Sequence, residues 1–384
     1  DHVAGVAAGS AFEMPGPCLN SARELIDAVN TGKLSIDDVD ARVEEALSLI
    51  ITTDEAKRAY PKTFDKDAHH ELARAIAAQG IVLLKNEAVE ATPLLPLDPK
   101  KTVALIGDYA ETPRYQGAGS SLVNCTKLDT LLDVAQADEG IKLIGYERGF
   151  ERDGGANAAM ADAAIDLARQ ADVVIMCLGL SEANESEGAE RMRMALEPNQ
   201  TELLSKVRNV NPNVVVLLFC GSSIETDWAN NAQSVVYCAL GGQAGALAVA
   251  DVLTGRVNPS GKLAETWPVR YADVPTAGRF PSEELTSEYR EGIYVGYRYF
   301  LTNRIPTAYP FGFGLSYTDF SYSDLAIVNE GVEFTLTNIG SVAGTEISQL
   351  YVSLPEHQIF RPEQELKGFA KTTLEPGASK RVLI

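Results

Sequence analysis

The sequence predicts an α/β fold: an α/β sandwich with a mostly parallel sheet, preceded by helices and followed by an antiparallel β-sandwich. Three observations predict it. Near-continuous apolar runs at 103–107, 173–179, 214–221 and 234–240 alternate with helical stretches at 157–169, 198–207 and 243–254. Strands without polar alternation belong to a sheet covered on both faces, and intervening helices supply the connections that parallel pairing needs. From residue 313 the helical signal gives way to period-two alternation, and before residue 68 the pattern is helical.

In chain order, Pro15-Gly16-Pro17 is a breaker, after which Leu25, Ile26 and Val29 give a helix an apolar face. Ser35 opens a second helix, with Asp38 three residues on in a near capping box, and Val39, Val43, Ala46, Leu47 and Ile50 follow at helical spacing. The polar stretch 52–67 reads as a linker, and 72–81 as the first helix of the α/β domain. The end of the chain alternates in Phe320-Ser-Tyr-Ser, Val332-Glu-Phe-Thr-Leu-Thr and Ile347-Ser-Gln-Leu-Tyr-Val-Ser, with Gly- and Asn-containing turns between. That is a β-sandwich of immunoglobulin or fibronectin type, and only its first part is present. The expected domains are 1–60, 61–312 and 313–384. Asp1 begins inside a helix-and-turn segment and Ile384 ends an alternating strand, so the chain reads as a fragment.

Composition excludes several functions. There are 53 acidic against 33 basic side chains, net −20, which leaves no basic stripe for nucleic acid and disfavours anionic membranes. No run of about 18 apolar residues is present to span a bilayer. Neutral substrates such as sugars are unaffected by this charge. The five cysteines (Cys18, Cys125, Cys177, Cys220, Cys238) show no CxxC spacing, and three sit in apolar runs, so buried thiols are expected rather than a disulfide framework. They favour the cytoplasm as location. The four histidines include one close pair, His69-His70, expected on a helix surface, so neither a metal site nor a histidine triad is predicted.

Three polar stretches follow strands, where ligands bind in open α/β sheets. Ser181-Glu182-Ala183-Asn184-Glu185-Ser186-Glu187-Gly188-Ala189-Glu190-Arg191 offers Glu185, Glu187 and Glu190 beside Arg191, carboxylates that could supply an acid of shifted pKa; the alternative is a solvated acidic loop. Gln116-Gly117-Ala118-Gly119-Ser120-Ser121 could bring backbone amides to a ligand or simply turn tightly; neither GxGxxG at a helix start nor GxxxxGK[ST] occurs. Glu225-Thr226-Asp227-Trp228 reads as a turn that packs Trp228 on the sheet rather than as a second carboxylate pair. Tyr289, Tyr294, Tyr297 and Tyr299 form an aromatic cluster that could stack on sugars, with packing as the alternative.

Beyond these readings, the chain resembles the C-terminal half of family 3 glycoside hydrolases, the β-glucosidase group. The resemblance runs through Ala4-Gly5-Val6-Ala7-Ala8-Gly9 to Glu13-Met14-Pro15-Gly16, Val82-Leu83-Leu84-Lys85-Asn86, residues 116–121 and Ser186-Glu187-Gly188. It continues through Val257-Asn258-Pro259-Ser260-Gly261-Lys262-Leu263, residues 289–299, Phe311-Gly312-Phe313-Gly314-Leu315-Ser316-Tyr317-Thr318 and Glu365-Leu366-Lys367-Gly368-Phe369. The resemblance implies that residues 1–50 are the last helices of a (β/α)₈-like barrel and that the β-sandwich is fibronectin type III-like. It implies a retaining exo-acting β-glycosidase, most simply a β-glucosidase acting on a small or oligosaccharide β-glycoside. β-Xylosidase or α-arabinofuranosidase activity and a non-catalytic carbohydrate-binding protein are the alternatives. Such enzymes use two carboxylates about 5–5.5 Å apart and no metal or cofactor.

The resemblance makes Glu187 the general acid/base, the Glu of a Glu-Gly-aromatic-Asp-Arg motif that reads Glu187-Gly188-Ala189-Glu190-Arg191 here. Gln116, Gly117, Gly119 and Ser120 are expected to line the sugar site. Protonation by Glu187 is expected to need a raised pKa, from a neighbouring carboxylate and a dry cleft. The nucleophile would be the Asp of a Ser-Asp-Trp motif preceding the stretch that matches Asp1, so the chain alone is expected to be inactive. Thr226-Asp227-Trp228 looks similar but lies in the wrong domain, and the role is not transferred to Asp227. Whether a second copy of the chain is a partner stays open.

Overall fold

A computed structural model of the chain describes residues 2–14, 19–60, 63–89, 92–281, 285–286, 288–354 and 359–384. It divides into two compact units, Asp1–Lys66 and Asp67–Ile384. The first holds three helices, α1 (His2–Ala7), α2 (Leu19–Asn30) and α3 (Ile36–Ala59). Ser35 caps α3 by accepting the Asp37 N–H at 3.1 Å. The helix then runs eight residues into the stretch expected to be linker, because nothing in 52–59 breaks it and Lys57 and Arg58 suit its carboxyl end. The breaker Pro15-Gly16-Pro17 and Cys18 lie outside the described residues, as does His357.

In the second unit, α4 (Lys66–Gly80) leads into a six-stranded sheet made of β1 (Val82–Asn86), β2 (Thr102–Ile106), β3 (Lys142–Glu147), β4 (Val173–Gly179), β5 (Val214–Phe219) and β6 (Ser234–Tyr237). The strand order is β1-β6-β5-β4-β2-β3, parallel throughout except for the edge strand β1, which runs antiparallel to β6. Every residue of β4 and β5 is buried, as expected for strands covered on both faces. The connecting helices α5 (Leu131–Ala137), α6 (Ala158–Ala168), α7 (Pro198–Val210) and α8 (Gly245–Leu253) pair off, α5 against α8 and α6 against α7. The edge strand β3 and helix α5 were not expected: β3 is half-exposed, so it lacks the apolar run that marks its neighbours, and α5 is only seven residues long.

Because the parallel strands share one direction, their carboxyl ends lie along one edge of the sheet. In-register pairs set the end of β5 beside the end of β4 (Phe219 with Gly179) and the end of β2 beside Met176, three residues earlier on β4. The chain leaves β2 through Gly107 at φ +122°, where a Cβ would stand 2.2 Å from the Cys177 carbonyl oxygen. Only glycine allows this close approach.

After α9 (Tyr297–Thr302) and a short strand at Thr307–Tyr309, the described residues close with five strands: β7 (Phe320–Val328), β8 (Gly331–Asn338), β9 (Gly344–Val352), β10 (Glu365–Leu374) and β11 (Ser379–Leu383). They form a β7-β8-β11 sheet and a β9-β10 pair, whose facing surfaces bury Phe334, Leu336, Leu374 and Val382. Cys177, Cys220 and Cys238 are buried free thiols, and Cys125 is partly buried. Among the described residues, no helix is long and apolar enough to cross a membrane.

Leu217, fully buried on β5 between β4 and β6, tests the cover of the sheet face to which its side chain points. Leu217→Ala is expected to cost about 3 kcal/mol in urea denaturation. A loss below about 1 kcal/mol would mean that this face of the central strand is not packed.

Candidate active site

The loops after β2, β4 and β5 meet at the carboxyl edge. The loop after β2 carries Arg114 and the 116–121 stretch, the loop after β4 carries 181–191, and the loop after β5 carries Gly221, Ser222 and Ser223. The first two pair directly through a parallel bridge between Ala118 and Ser186, with the Glu187 N–H reaching the Ala118 carbonyl at 3.4 Å. The Ser120 N–H donates to Glu187 Oε2 at 2.7 Å. Gly119 sits at φ +88°, and a Cβ there would stand 2.6 Å from Glu187 Cβ. The second glycine of this GxG therefore exists to let the acidic loop approach. Gln116 closes the same loop on itself, its carboxamide accepting the Val123 N–H at 2.9 Å and donating to the Val123 carbonyl at 3.1 Å. Gly117 and Ser121 pack together, a Cβ at Gly117 falling 2.7 Å from Ser121 Oγ.

Glu187 is exposed, and the Ser120 hydroxyl and N–H hold its carboxyl below the ordinary carboxylate range. This is opposite to the raised value expected from the sequence. The expectation required a neighbouring carboxylate and a dry cleft, whereas here the carboxylate meets donors and water. A depressed pKa stabilises the folded loop above the ordinary carboxylate pKa, and this stabilisation is lost as pH falls through the lowered value.

The three glutamates of the loop are thus treated differently. Glu190 faces solvent. Glu185 is only 13% exposed at its side chain and accepts from the Gly221 N–H at 3.0 Å and the Ser222 hydroxyl at 2.6 Å. The buried Arg114 donates to its backbone carbonyl at 3.2 Å and comes within 3.7 Å of its carboxylate. Arg191 donates to Ser222 Oγ at 2.8 Å and to the Ser223 carbonyl at 2.9 Å. Nearby, the Glu265 carboxyl is pushed up by desolvation, with the Glu185 charge adding and the Ser223 N–H and Arg191 opposing. Arg114 and Ser222 escaped the sequence reading, since a single Arg after Pro113 and a Ser in a Gly-Ser-Ser turn carry no spacing signal.

Trp228 is buried in the sheet's core and donates to the Glu225 carbonyl at 3.0 Å, while Asp227 opens a 3₁₀ turn and is exposed. His70, expected on a surface, is buried, with Nε2 2.6 Å from Asp129 and Nδ1 2.8 Å from Gln243. This network ties α4 to the loops before α5 and α8, and the helix face that holds His70 is an inner one. Tyr294 packs on Phe360, and Tyr297 packs on Phe311 and on Tyr351 of β9, joining α9 to the β-sandwich; Tyr289 is exposed. A cavity of about 330 Å³ lined by Tyr297, Phe311, Gln349 and Tyr351 lies in that joint, away from Glu187. Among the described residues, no three His, Cys, Asp or Glu side chains converge to hold a metal ion.

Residues 81–317 match the Glycosyl hydrolase family 3 C-terminal domain, and 346–384 the Fibronectin type III-like domain. The chain belongs to glycosyl hydrolase family 3. Thermostable beta-glucosidase B of Acetivibrio thermocellus is 42% identical over 392 residues, covering 100% of this chain and 51% of that protein. An exo-alpha-(1->6)-L-arabinopyranosidase of Bifidobacterium breve is 38% identical over 401 residues, covering 100% and 52%. Among solved structures, the GH3 beta-glucosidase of Bifidobacterium adolescentis superposes with a TM-score of 0.86 at 38% identity, covering 100% of this chain and 56% of the other. Beta-glucosidase 3B of Thermotoga neapolitana, in complex with glucose, gives 0.82 at 30% identity, covering 100% and 59%. The chain spans about half the length of the curated family 3 relatives it matches.

The contact between Gly119 and Glu187 can be tested by titration. Gly119→Ala is expected to break the Ser120–Glu187 bond and raise the Glu187 pKa towards the ordinary carboxylate value, read from ¹³C-labelled glutamate by NMR. An unchanged pKa would show that Ser120 is not what lowers it.

Proposed function

We propose that this chain is part of a retaining exo-β-glycosidase, with β-D-glucosides as its substrates and Glu187 as general acid/base. The observation that carries the reading is the position of Glu187: an exposed carboxylate at the carboxyl edge of a parallel sheet, held by the glycine-rich loop through Ser120. Gln116, Gly117, Gly119 and Ser120 then form the wall beside it. The names of relatives and structural neighbours support the substrate class. The same reading assigns 1–60 to the end of a barrel domain, 61–312 to the α/β sandwich and 313–384 to a fibronectin type III-like domain.

In the reaction Glu187 gives its proton to the glycosidic oxygen as the bond to the anomeric carbon breaks, and the departing alcohol leaves neutral. A second carboxylate takes the anomeric carbon, and Glu187, now ionised, removes a proton from the water that releases the sugar. The Ser120 N–H suits the second role, since it stabilises the ionised form. The first role requires a bound glycoside to displace this bond and exclude water, raising the pKa. The nucleophile belongs to the part of the protein outside these 384 residues, so the chain alone is inert on an aryl β-glucoside and the complete protein hydrolyses it. Turnover by the chain alone would contradict this.

A second reading is favoured by the arabinopyranosidase relative, which matches the chain over its full length. An α-L-arabinopyranoside is a β-D-galactoside without its hydroxymethyl group, so the same two carboxylates would serve it. The ratio of kcat/KM for aryl β-D-glucoside to that for aryl α-L-arabinopyranoside in the complete protein decides between them.

Glu187→Ala in the complete protein is expected to lower kcat/KM for phenyl β-glucoside by about 10²–10⁴-fold. A dinitrophenyl glucoside, whose leaving group needs no proton, should lose far less. Equal losses on both would rule out the acid role.

A further inference from the structure

We propose that Glu185 is the positioning residue of this site: its largely buried carboxylate locks together the three loops that place Glu187. The proposal rests on the acid/base reading of Glu187. Glu185 lies on the loop after β4, Gly221 and Ser222 on the loop after β5, and Arg114 on the loop after β2, two residues before Gln116. Both oxygens of Glu185 lie 3.0 Å from the Gly221 nitrogen, and Oε1 also accepts from the Ser222 hydroxyl at 2.6 Å. Arg114, 1% exposed at its side chain, donates to the Glu185 carbonyl at 3.2 Å and faces its carboxylate at 3.7 Å. Arg191 approaches the carboxylate to 4.0 Å and ties Ser222 and Ser223 to the far end of the same loop.

The oxygens of Glu185 are therefore occupied by protein donors and are not offered to a substrate. What they control is the chain that follows. Only Ser186 separates Glu185 from Glu187, and two peptide units cannot absorb a shift of the anchor. The holds further along are slighter: Glu187 N–H to Ala118 O is 3.4 Å, and the Ser120 bond comes from a glycine-rich loop. Arg114 belongs to that loop's own segment, so one carboxylate sets both walls of the site. A general acid misplaced by about 1 Å loses about 10²-fold in rate. The loss falls on the proton transfer and spares steps that need no proton.

The test is kcat/KM of the complete protein, normalised to titrated active sites, on phenyl and 2,4-dinitrophenyl β-glucosides. Glu185→Gln keeps the side chain's size but replaces one acceptor oxygen with a donor. It is expected to lower phenyl glucoside hydrolysis by about 10²-fold and dinitrophenyl glucoside hydrolysis by less than about threefold. In a Glu187→Ala background the same substitution should change neither rate by more than about twofold, because it acts through a group already removed. Ser222→Ala, which removes one donor and leaves the carboxylate, should show a smaller effect of the same selectivity, and it carries the test if Glu185→Gln does not fold. Equal losses on the two substrates, or additive losses in the double variant, would overturn the proposal. If Glu187→Ala itself shows no dependence on the leaving group, the acid/base reading fails instead. If it shows that dependence and neither the Glu185 nor the Ser222 variant does, only the positioning role fails.

Discussion

The constraint on which the rest depends is the two-sided burial of the central strands. β4 and β5 expose nothing to water, and their side chains from Val173 to Leu178 and from Val214 to Phe219 are all apolar. Such strands cannot host polar chemistry in their interior. Burying them stabilises the domain at about 25 cal/mol for each Å² of apolar surface removed from water. The helices that provide this cover also force the strands into parallel alignment, and parallel alignment sends every carboxyl end to one edge. The polar residues that can meet a ligand therefore collect in the loops after β2, β4 and β5.

Within those loops, environment separates side chains that composition alone leaves equivalent. Glu185, Glu187 and Glu190 lie within six residues, yet one is buried among donors, one is exposed and capped by Ser120, and one points to solvent. Removing a partner from a buried ion pair costs more than removing an exposed one, commonly 3–5 kcal/mol against less than about 1. The Arg114–Glu185 contact, with side chains 1% and 13% exposed, lies nearer the first kind. It gives the edge of the sheet a rigid point beside a carboxylate that remains free to exchange partners. In the reaction proposed for Glu187, its lowered pKa in this state and the protonated form needed for leaving-group departure are two ends of that exchange.

The layout of the α/β sandwich was legible because its signal is long and one-dimensional: apolar runs and helical periods survive in any single chain. Strand β3 was missed because an edge strand with one exposed face loses that run. The helical extension of α3 to Ala59 is not legible from polarity, because a polar stretch continues a helix until its backbone is interrupted. The candidate site was legible in part. Glycines and glutamates after strands announce themselves, but Arg114, Ser222 and the burial of His70 depend on contacts between segments 37 to 173 residues apart. The lowered pKa of Glu187 in the free chain was not legible for the same reason: its donor, Ser120, lies 67 residues away.

The central claim is that Glu187 faces the scissile oxygen while Glu185 stays in its anchor. It is tested most directly by a crystal structure of the complete protein, inactivated at its nucleophile and holding an intact β-glucoside. The Glu187 carboxyl is expected within about 3 Å of the glycosidic oxygen, with its Ser120 bond broken and Glu185 still bonded to Gly221 and Ser222. A structure with Glu185 or Glu190 on that oxygen, or with Glu187 turned away from the sugar, would contradict it.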